Sequence, residues 1–527
     1  MNDLVPIRRA LISVSDKTDL IPFVRRLVEL GVTILSTGGT ARTLTEAGLP
    51  VTTIEQVTHF PEMMDGRLKT LHPVVHGGLL GLRDNPAHVA AMKQHHIDPI
   101  DLVCVNLYPF EATVRKEGVS EAHAIENIDI GGPSMIRSAA KNHRFVTVVT
   151  DPSQYDMLVN ELAANAGSTT FPIRRRLALA AFARTAAYDT AIAEWMSKTS
   201  PFQFPTSVLL RLERGTELRY GENPHQAGAL YVDPKSTEPS VARARQLHGK
   251  ELSFNNLYDA NGALELVKEI DHAQHAAAAV IKHANPCGFA IASDVATAFV
   301  KAYAGDPLAA FGGIIAFNRP VDLPAANALV DGQKFLEVIV APGYSDDALA
   351  LLRQRWNNVR ILDTGPLPSP ENRDPAERDI KRITAGLLIQ ERDLAPFDPA
   401  SWTHVAGPAP SSSLLEQMTV AMIAVKHLKS NAVCLVRDNM LIGAGAGQMD
   451  RLASCRIAIE KADDRAKGAV AASDAFFPFR DGPDQLIAAG VTAIVQPGGS
   501  KRDDETIAAC NAANVSLVFT HRRHFRH

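Results

Sequence analysis

The sequence predicts an α/β protein of more than one domain, on three observations. Its 527 residues exceed one ordinary domain, at roughly 100–200 residues each. Short apolar runs alternate with helix-period stretches, the pattern of βαβ units around a parallel sheet. Polar or glycine-rich clusters follow directly after the apolar runs, where open α/β sheets bind ligands.

Taken in order, Ala10–Val14 reads as a strand, Leu20–Leu30 as a helix and Val32–Leu35 as a second strand. Leu102–Leu107 and Phe145–Val149 repeat the strand signal, and residues 174–198 show helical spacing. Pro201, Phe202 and Pro205 interrupt that helix, so a boundary is expected near 200, giving domains 1–200 and 201–527. Beyond it, Ala277–Ile281, Gly313–Phe317, Val338–Val340, Ile383–Ile389, Val433–Val436, Thr492–Val495 and Val515–Phe519 read as strands. Pro-rich loops at 363–375 and 395–412 divide this second part into subdomains.

Composition narrows the function classes. A hydrophobic fraction of 46% and a charged fraction of 21% fit a globular chain, and exclude disordered, collagenous and small disulfide-stapled classes. The net charge of −4 offers no global field for nucleic acid. Five scattered cysteines without CxxC spacing point to reduced thiols and a cytoplasmic location. No stretch approaches the ~20 apolar residues of a membrane span, and the N-terminus does not read as a signal peptide.

Ser13-Val-Ser-Asp-Lys17-Thr18 and Ser36-Thr-Gly-Gly-Thr40 each follow a strand and open a helix. One such cluster is ordinary capping; two on adjacent strands suit a phosphate monoester. Pro61–Pro73 carries Arg67, Lys69, Thr70 and His72, either a solvated loop or a cationic wall. Tyr108 ends a strand at the ligand edge, unless it is a packed core tyrosine. Asp129 precedes a Gly-Gly-Pro turn into a helix bearing Arg137 and Lys141. A carboxylate, a phenol and ammonium groups together can move protons between nitrogen and oxygen. Lys282-His283 follows an apolar strand and offers a base beside a charge stabiliser. The His-x-x-Pro-Cys run there echoes a zinc deaminase signature but lacks its glutamate and second cysteine, so no metal is expected. Gly443–Gln448 lacks the third glycine of a dinucleotide fingerprint, and no P-loop occurs. The basic end, His521–His527, is either free or docked behind the strand before it.

SVSDKT, STGGTA, PEMMDGRLKTLHP, VNLYPF, IDIGGP and AAKN stand in one order with LRYGENPHQ, KHANPCG, AFGGIIAFNRPVD, KSNAVC, GAGQMDR, SDAFFPFRD, QPGGS and RHFRH. On these the chain resembles, over essentially its whole length, the bifunctional purine biosynthesis family joining phosphoribosylaminoimidazolecarboxamide (AICAR) formyltransferase to IMP cyclohydrolase. The resemblance implies a methylglyoxal-synthase-like N-terminal domain and two cytidine-deaminase-like α/β subdomains lacking zinc. It implies formyl transfer from 10-formyltetrahydrofolate to AICAR, closure of formyl-AICAR to IMP, and a homodimer with transferase sites across the interface.

By resemblance, His283 accepts a proton, Lys282 stabilises the transition state and Asn431 hydrogen-bonds the carboxamide or the reacting centre. Arg219, Tyr220, Gly312, Glu337, Arg451 and Arg523 match AICAR positions, which implies an ordered tail at Arg523. Leu452, Asp474, Gly498 and Gly499 match positions near the folate. Lys69, Tyr108, Asp129 and Lys141 match the proton-transfer set of ring closure. Ser15, Asp16, Lys17, Thr37, Gly38, Gly39, Thr40, Arg67, Thr70 and Asn106 match nucleotide-binding positions. The chain departs from the family pattern at Asp19 (usually Gly), Ala309 and Asp450 (usually Ser) and His521-Arg522 (usually Gly-Met). A regulatory nucleotide-binding module without chemistry is the rival for the N-terminal domain; four proton-transfer residues together favour an enzyme.

Overall fold

The computed structural model describes residues 4–64, 66–197 and 204–527. Lys198, Pro201 and Phe202, which carried the expected helix end and boundary, lie outside the described residues. The chain folds as two compact units, up to Arg211 and from Leu212 onward.

The first unit runs β1 (Arg9–Val14), α1 (Leu20–Glu29), β2 (Thr33–Ser36), α2 (Gly38–Glu46), β3 (Thr52–Thr53), α3 (Pro73–Leu80), β4 (Leu102–Asn106), α4 (Gly131–Lys141), β5 (Thr147–Val149), α5 (Tyr155–Ala164) and α6 (Phe171–Ser197), with short helices between. Its sheet has the order β3-β2-β1-β4-β5 and is parallel throughout. Helices cover both faces. Leu11, Val103 and Val105 pack with α4 and α6, and Ala10, Ile12 and Leu102 pack with α1 and α5. Burial on both sides is why these strands read as continuous apolar runs. Strand order reverses between β1 and β4, which opens a crevice at their carboxyl ends.

The second unit begins with a hairpin, β6 (Glu213–Leu218) and β7 (Gly228–Val232). Its core then contains one arrangement twice. The first copy is β8 (Arg245–His248), α7 (Phe254–Val267), β9 (Ala276–Lys282), β10 (Asn285–Ala292), α8 (Val295–Gly305), β11 (Gly313–Phe317), α9 (Leu323–Val330), β12 (Leu336–Ala341), α10 (Asp346–Arg355) and β13 (Arg360–Asp363). A separate hairpin follows, β14 (Arg378–Ile383) and β15 (Gly386–Glu391). The second copy is β16 (Thr403–Ala406), α11 (Ser412–Lys426), β17 (Val433–Arg437), β18 (Met440–Gly445), α12 (Arg451–Ala462), β19 (Val470–Ser473), α13 (Asp481–Ala488), β20 (Ala493–Gln496), α14 (Asp503–Ala513) and β21 (Ser516–Phe519). All twelve strands form one sheet, β8-β13-β12-β11-β9-β10-β18-β17-β19-β20-β21-β16, with the copies back to back at β10 and β18.

The copies agree in detail. Each central hairpin carries a bulge at the same place, between Val280 and Ile281 and between Leu435 and Val436. Each has a glycine opposite the bulge, Gly288 and Gly443. A Cβ at either would strike a helix carbonyl, Ala302 O or Ala458 O, so the helices press on bare backbone.

Two expectations need correction. Ile383–Ile389 is not one strand: Thr384-Ala385 turns the chain, and Ile383 pairs with Gly386 across a hairpin. The 395–412 segment is not all loop. It contains β16, an edge strand whose Thr403–Ala406 pairs with β21 and completes the second copy.

Candidate active sites

In the first unit a cavity of about 710 Å3 lies over the carboxyl ends of β1, β2 and β4. It gathers Ser15, Lys17, Thr37, Gly38, Gly39, Thr40, Arg67, Lys69, Thr70, Asn106, Tyr108 and Asp129 from segments far apart in sequence. Part of this set is frame. The Asn106 carbonyl accepts from the amides of Ser15 and Asp16 at 2.6 and 3.0 Å, and its amide donates to Asp16 O at 2.9 Å. The Ser15 hydroxyl lies 2.8 Å from Leu107 O, and Thr40 Oγ1 bonds both N and O of Val14 at 3.0 Å. These bonds fix the turn after β1.

Beyond that frame the cavity wall includes backbone at two helix starts. Neither Thr37, at the start of α2, nor Ile130, at the start of α4, caps its helix with a side chain. The α2 start leaves orphan N–H groups and a positive dipole end, which suit an anion, whereas at the start of α4 the Gly132 amide is already taken by the Asp129 carboxylate at 2.8 Å. Gly38, at φ +44°, leaves room for Lys69: a Cβ there would lie 2.8 Å from Nζ. A Cβ on Gly131 would lie 2.8 Å from Thr70 Oγ1, and one on Gly132 would strike the Asp129 carboxylate.

Two of the expected cations that line the cavity already have a partner. Lys69 Nζ lies 2.5 Å from Glu62, and Arg67 pairs with Glu126. Both carboxylates also line the cavity. Sequence reasoning missed them; Glu62 stands in the same polar loop as Lys69 and was the available signal.

Asp129 and Tyr108 line the same cavity, and the pKa of each is raised. Burial pushes the Asp129 carboxyl above its ordinary range, only partly offset by bonds from the Gly132 and Tyr108 amides. Burial also raises the Tyr108 phenol, and the carboxylates of Asp129 and Glu62 add to it. The Tyr188 hydroxyl accepts from the Asp129 amide at 2.9 Å and holds the loop.

Two expected members stand apart. The Asp16 carboxylate bonds the hydroxyl and amide of Thr18 at 2.7 and 2.9 Å, which holds it below its ordinary range, and it does not line the cavity. Lys141 is exposed at the last residue of α4, whereas the cavity meets the helix only as far as Met135. At about 1.5 Å per residue, Lys141 lies about 9 Å further along the axis.

In the second unit the expected residues fall into two groups. Arg219, Tyr220 and Glu337 share a cavity of about 550 Å3 with Lys250, Asn256 and Arg360, which sequence reasoning missed. Arg219 sits 4.7 Å over the Tyr220 ring and bonds its hydroxyl at 2.9 Å, while Asn256 donates to Glu337 at 2.8 Å. Phe335 walls this cavity and accepts from the Gly312 amide at 2.7 Å; Gly312 O in turn receives Lys282 Nζ at 3.0 Å. His283 is exposed on the tight turn between β9 and β10.

The other group belongs to the second copy of the fold. Arg451 is buried and donates to Asn431 Oδ1 at 2.9 Å, to Ser473 Oγ at 2.8 Å and to the Asp474 carboxylate. Asp474 has no exposed surface and also accepts from Ser430 at 2.5 Å. Arg451 and Asp474, expected on AICAR and folate, therefore form an internal frame that orients Asn431. Leu452 is half-buried in the first turn of α12. Gly498 and Gly499 have φ of +73° and +98° beyond β20, and a Cβ on Gly498 would lie 2.6 Å from the Phe519 ring. The groups are linked by Asn285, which donates to His283 O and accepts from the Lys429 amide, both at 3.1 Å.

The basic end is docked. Ser430 and Arg526 exchange bonds of 2.9 and 3.1 Å, and the His524 amide donates to Asp474 O at 3.0 Å. Arg523 is exposed, with its guanidinium 4.3 Å from the Phe525 ring. The departures from the family pattern acquire reasons here. Asp19 and His521 sit at φ +52° and +57°, where the usual glycine is easiest and Asp or His is tolerated. Asp450 caps α12 through the Ala453 amide at 2.7 Å, a role serine fills equally well. Nothing in the structure explains Ala309.

One unit carries a switch-point cavity lined by hydroxyls, glycines, cations and a buried carboxylate, and the other a duplicated α/β core with a Lys-His turn, features that suit an enzyme acting on anionic small molecules. A family model described as AICARFT/IMPCHase bienzyme matches residues 139–461, and one described as MGS-like domain matches residues 19–134. The chain is 51% identical to the bifunctional purine biosynthesis protein PurH of Magnetococcus marinus, over 99% of this chain and 100% of that protein. It is 50% identical to the protein of that name from Ruegeria pomeroyi, over 100% of both. The chain belongs to the AICARFT/IMPCHase bienzyme family, and is an AICAR formyltransferase and IMP cyclohydrolase of purine biosynthesis. The family implies a folate-type formyl donor and small-molecule substrates. Among the described residues no group of three or more His, Cys, Asp or Glu could hold a metal, and no helix is long and apolar enough to cross a membrane.

Proposed function

We propose that the second unit transfers the formyl group of 10-formyltetrahydrofolate to the 5-amino group of AICAR, and that the first unit closes formyl-AICAR to IMP. The observation that carries the division is the pairing of Asp129, its carboxyl raised by burial, with Tyr108 in the first unit's cavity. The Lys282-His283 turn stands in the other unit.

In formyl transfer the amine nitrogen bonds to the formyl carbon, and the bond from that carbon to the folate nitrogen breaks. His283 takes the amine proton; the folate nitrogen regains one as it leaves. Lys282 faces the oxyanion of the tetrahedral intermediate, and Asn431, oriented by Arg451, holds the carboxamide. Arg219, Tyr220, Gly312, Glu337 and Arg523 bind AICAR; Leu452, Gly498 and Gly499 border the folate. In ring closure the carboxamide nitrogen attacks the formyl carbon, and the formyl oxygen leaves as water. Asp129 accepts a proton from that nitrogen, while Tyr108 and Lys69 deliver protons toward the oxygen. The formamide nitrogen gives up its own proton as the C–O bond breaks and the ring C=N bond forms, so the two protons lost from nitrogen balance the two carried off in water. The cavity supplies proximity by holding both groups of one molecule together.

A homodimer in the cytoplasm completes the reading. Leu308, Phe311 and Met449 are 89%, 58% and 100% exposed, and apolar surface of this kind supports a covering second copy. The deciding experiment incubates the protein with AICAR and 10-formyltetrahydrofolate and follows IMP. IMP should form, and lesions in the first unit should leave formyl-AICAR accumulating. If neither product appears, the proposal is wrong.

A further inference from the structure

We propose that Asp259 is a positioning residue for formyl transfer, holding the backbone turn that carries His283. The inference rests on the reading that His283 acts in that step.

His283 and Ala284 form the two-residue connection between β9 and β10, with Lys282 paired to Asn285 on either side. Both have left-handed backbone, φ +52° and +61°. A type I′ turn requires this, and Asn, Asp and Gly are the residues that adopt it easily. Histidine is tolerated there, but alanine has a Cβ that clashes and no polar group to compensate. An unaided His-Ala turn would therefore relax, and the imidazole would move with it.

The half-buried Asp259, on α7, opposes that relaxation. Its carboxylate accepts from both turn amides, His283 N at 3.2 Å and Ala284 N at 2.7 Å. On the other side Asn285 donates to His283 O at 3.1 Å. The turn is thus held at both amides and one carbonyl.

The duplicated fold supplies an internal control. The equivalent turn between β17 and β18 is Asp438-Asn439, at φ +52° and +58°. These residues take left-handed backbone readily. Asp259 is the sixth residue of α7, and the sixth residue of α11 is Gln417. Gln417 Oε1 accepts from the Asp438 amide at 2.8 Å. The same helix position serves the same turn in both copies. The charged acceptor of two bonds occurs where the turn residues resist their conformation and the catalytic histidine stands. Charge-assisted bonds of this kind are the stronger ones.

The test compares Asp259→Asn, Asp259→Asn with Ala284→Gly, and Ala284→Gly alone, each assayed for formyl transfer and for cyclisation of supplied formyl-AICAR. Asp259→Asn keeps one acceptor. It should lower kcat for formyl transfer by at least about tenfold while KM for AICAR stays within about threefold, as expected of a misplaced reacting group. Cyclisation should be unchanged. Glycine at 284 removes the resistance of the turn, so the double variant should return to within about threefold of Ala284→Gly alone. An unchanged kcat in Asp259→Asn, or no recovery on adding glycine, overturns the proposal. An equal loss of both activities also overturns it, since Asp259 would then serve folding in general. His283→Ala is measured separately: if it still transfers formyl groups, the catalytic assignment of His283 falls, whatever Asp259 does.

Discussion

Replacing Asp129 with asparagine separates chemistry from structure in the first unit. Asp129 Oδ1 accepts from the Gly132 amide at 2.8 Å at the start of α4, and an asparagine carbonyl can accept the same bond. The substitution therefore preserves the loop and removes only the ability to take a proton. General acid–base groups contribute about 10²–10⁴-fold, so kcat for cyclisation should fall by that factor, or about 3–5 kcal/mol in activation free energy. Stability should move the other way or not at all. Burial raises the Asp129 carboxyl, so the ionised form costs stability at neutral pH, and the neutral amide escapes that cost. The raised carboxyl also sets the pH profile: cyclisation should fail, as acid is added, at a pH above the ordinary carboxylate range of about 4. The assay follows IMP formation from supplied formyl-AICAR between pH 4 and 8, with thermal unfolding alongside. A kcat within about threefold of the unchanged protein would refute the proton-transfer role, given the size expected of such groups. A large loss of stability would instead show that the carboxylate holds the loop through a bond asparagine cannot make.

Other outcomes follow from the same geometry. Lys282→Ala should abolish formyl transfer and leave cyclisation of supplied formyl-AICAR intact; loss of both in a folded protein would defeat the two-site assignment. Arg451→Met strands the buried Asp474 carboxylate without its partner, which should cost about 3–5 kcal/mol in urea unfolding and remove formyl transfer by releasing Asn431. A change below about 1 kcal/mol would show that Arg451 is not the frame, because surface-like pairs are worth that little. The second unit should weaken in acid in two stages. Burial holds His427 down at about 4, so stability present above about pH 6.5, where the unfolded histidine is neutral, drains as pH falls toward 4. Against the cost of burial, Arg392 and Lys268 hold Glu238 at about 2, and His427 and Lys426 hold Glu269 at about 2. Their contribution is intact above about pH 4.5 and lost as pH falls through about 2. Urea unfolding across pH 2–8 reads both stages, and His427→Gln should erase the upper one.

Much of the sheet is legible along the chain, because strands buried on both faces must be apolar throughout. Ala10–Val14 and Ala277–Ile281 fall inside β1 and β9 for that reason. Strands that lean on one neighbour are harder. β14 and β15 are mostly exposed, so no buried face marks their separate turns, and β16 is a four-residue edge strand in a Pro-rich segment. The duplication, expected only through the family resemblance, is not marked by matching residues because it is preserved as geometry. Bulge position, a glycine beneath each helix and one helix-to-turn hydrogen bond survive, while the side chains around them differ.

The sequence by itself determined the α/β class, the clusters at strand ends and, through ordered motifs, the family. Those features are local: periodicity, turn chemistry and short motifs need no knowledge of neighbours. Only the tertiary structure decided which polar groups line a cavity and which face one another. Arg451 and Asp474 are 23 residues apart in sequence and paired inside the protein, whereas Lys141 leaves the Asp129 cavity along its own helix. Burial and partner choice depend on residues brought together from distant strands, and these decide whether a charge is a tool or a strut. Asp259 shows the same limit. Nothing in its own segment marks it, and its role exists only because α7 packs under the turn that carries His283.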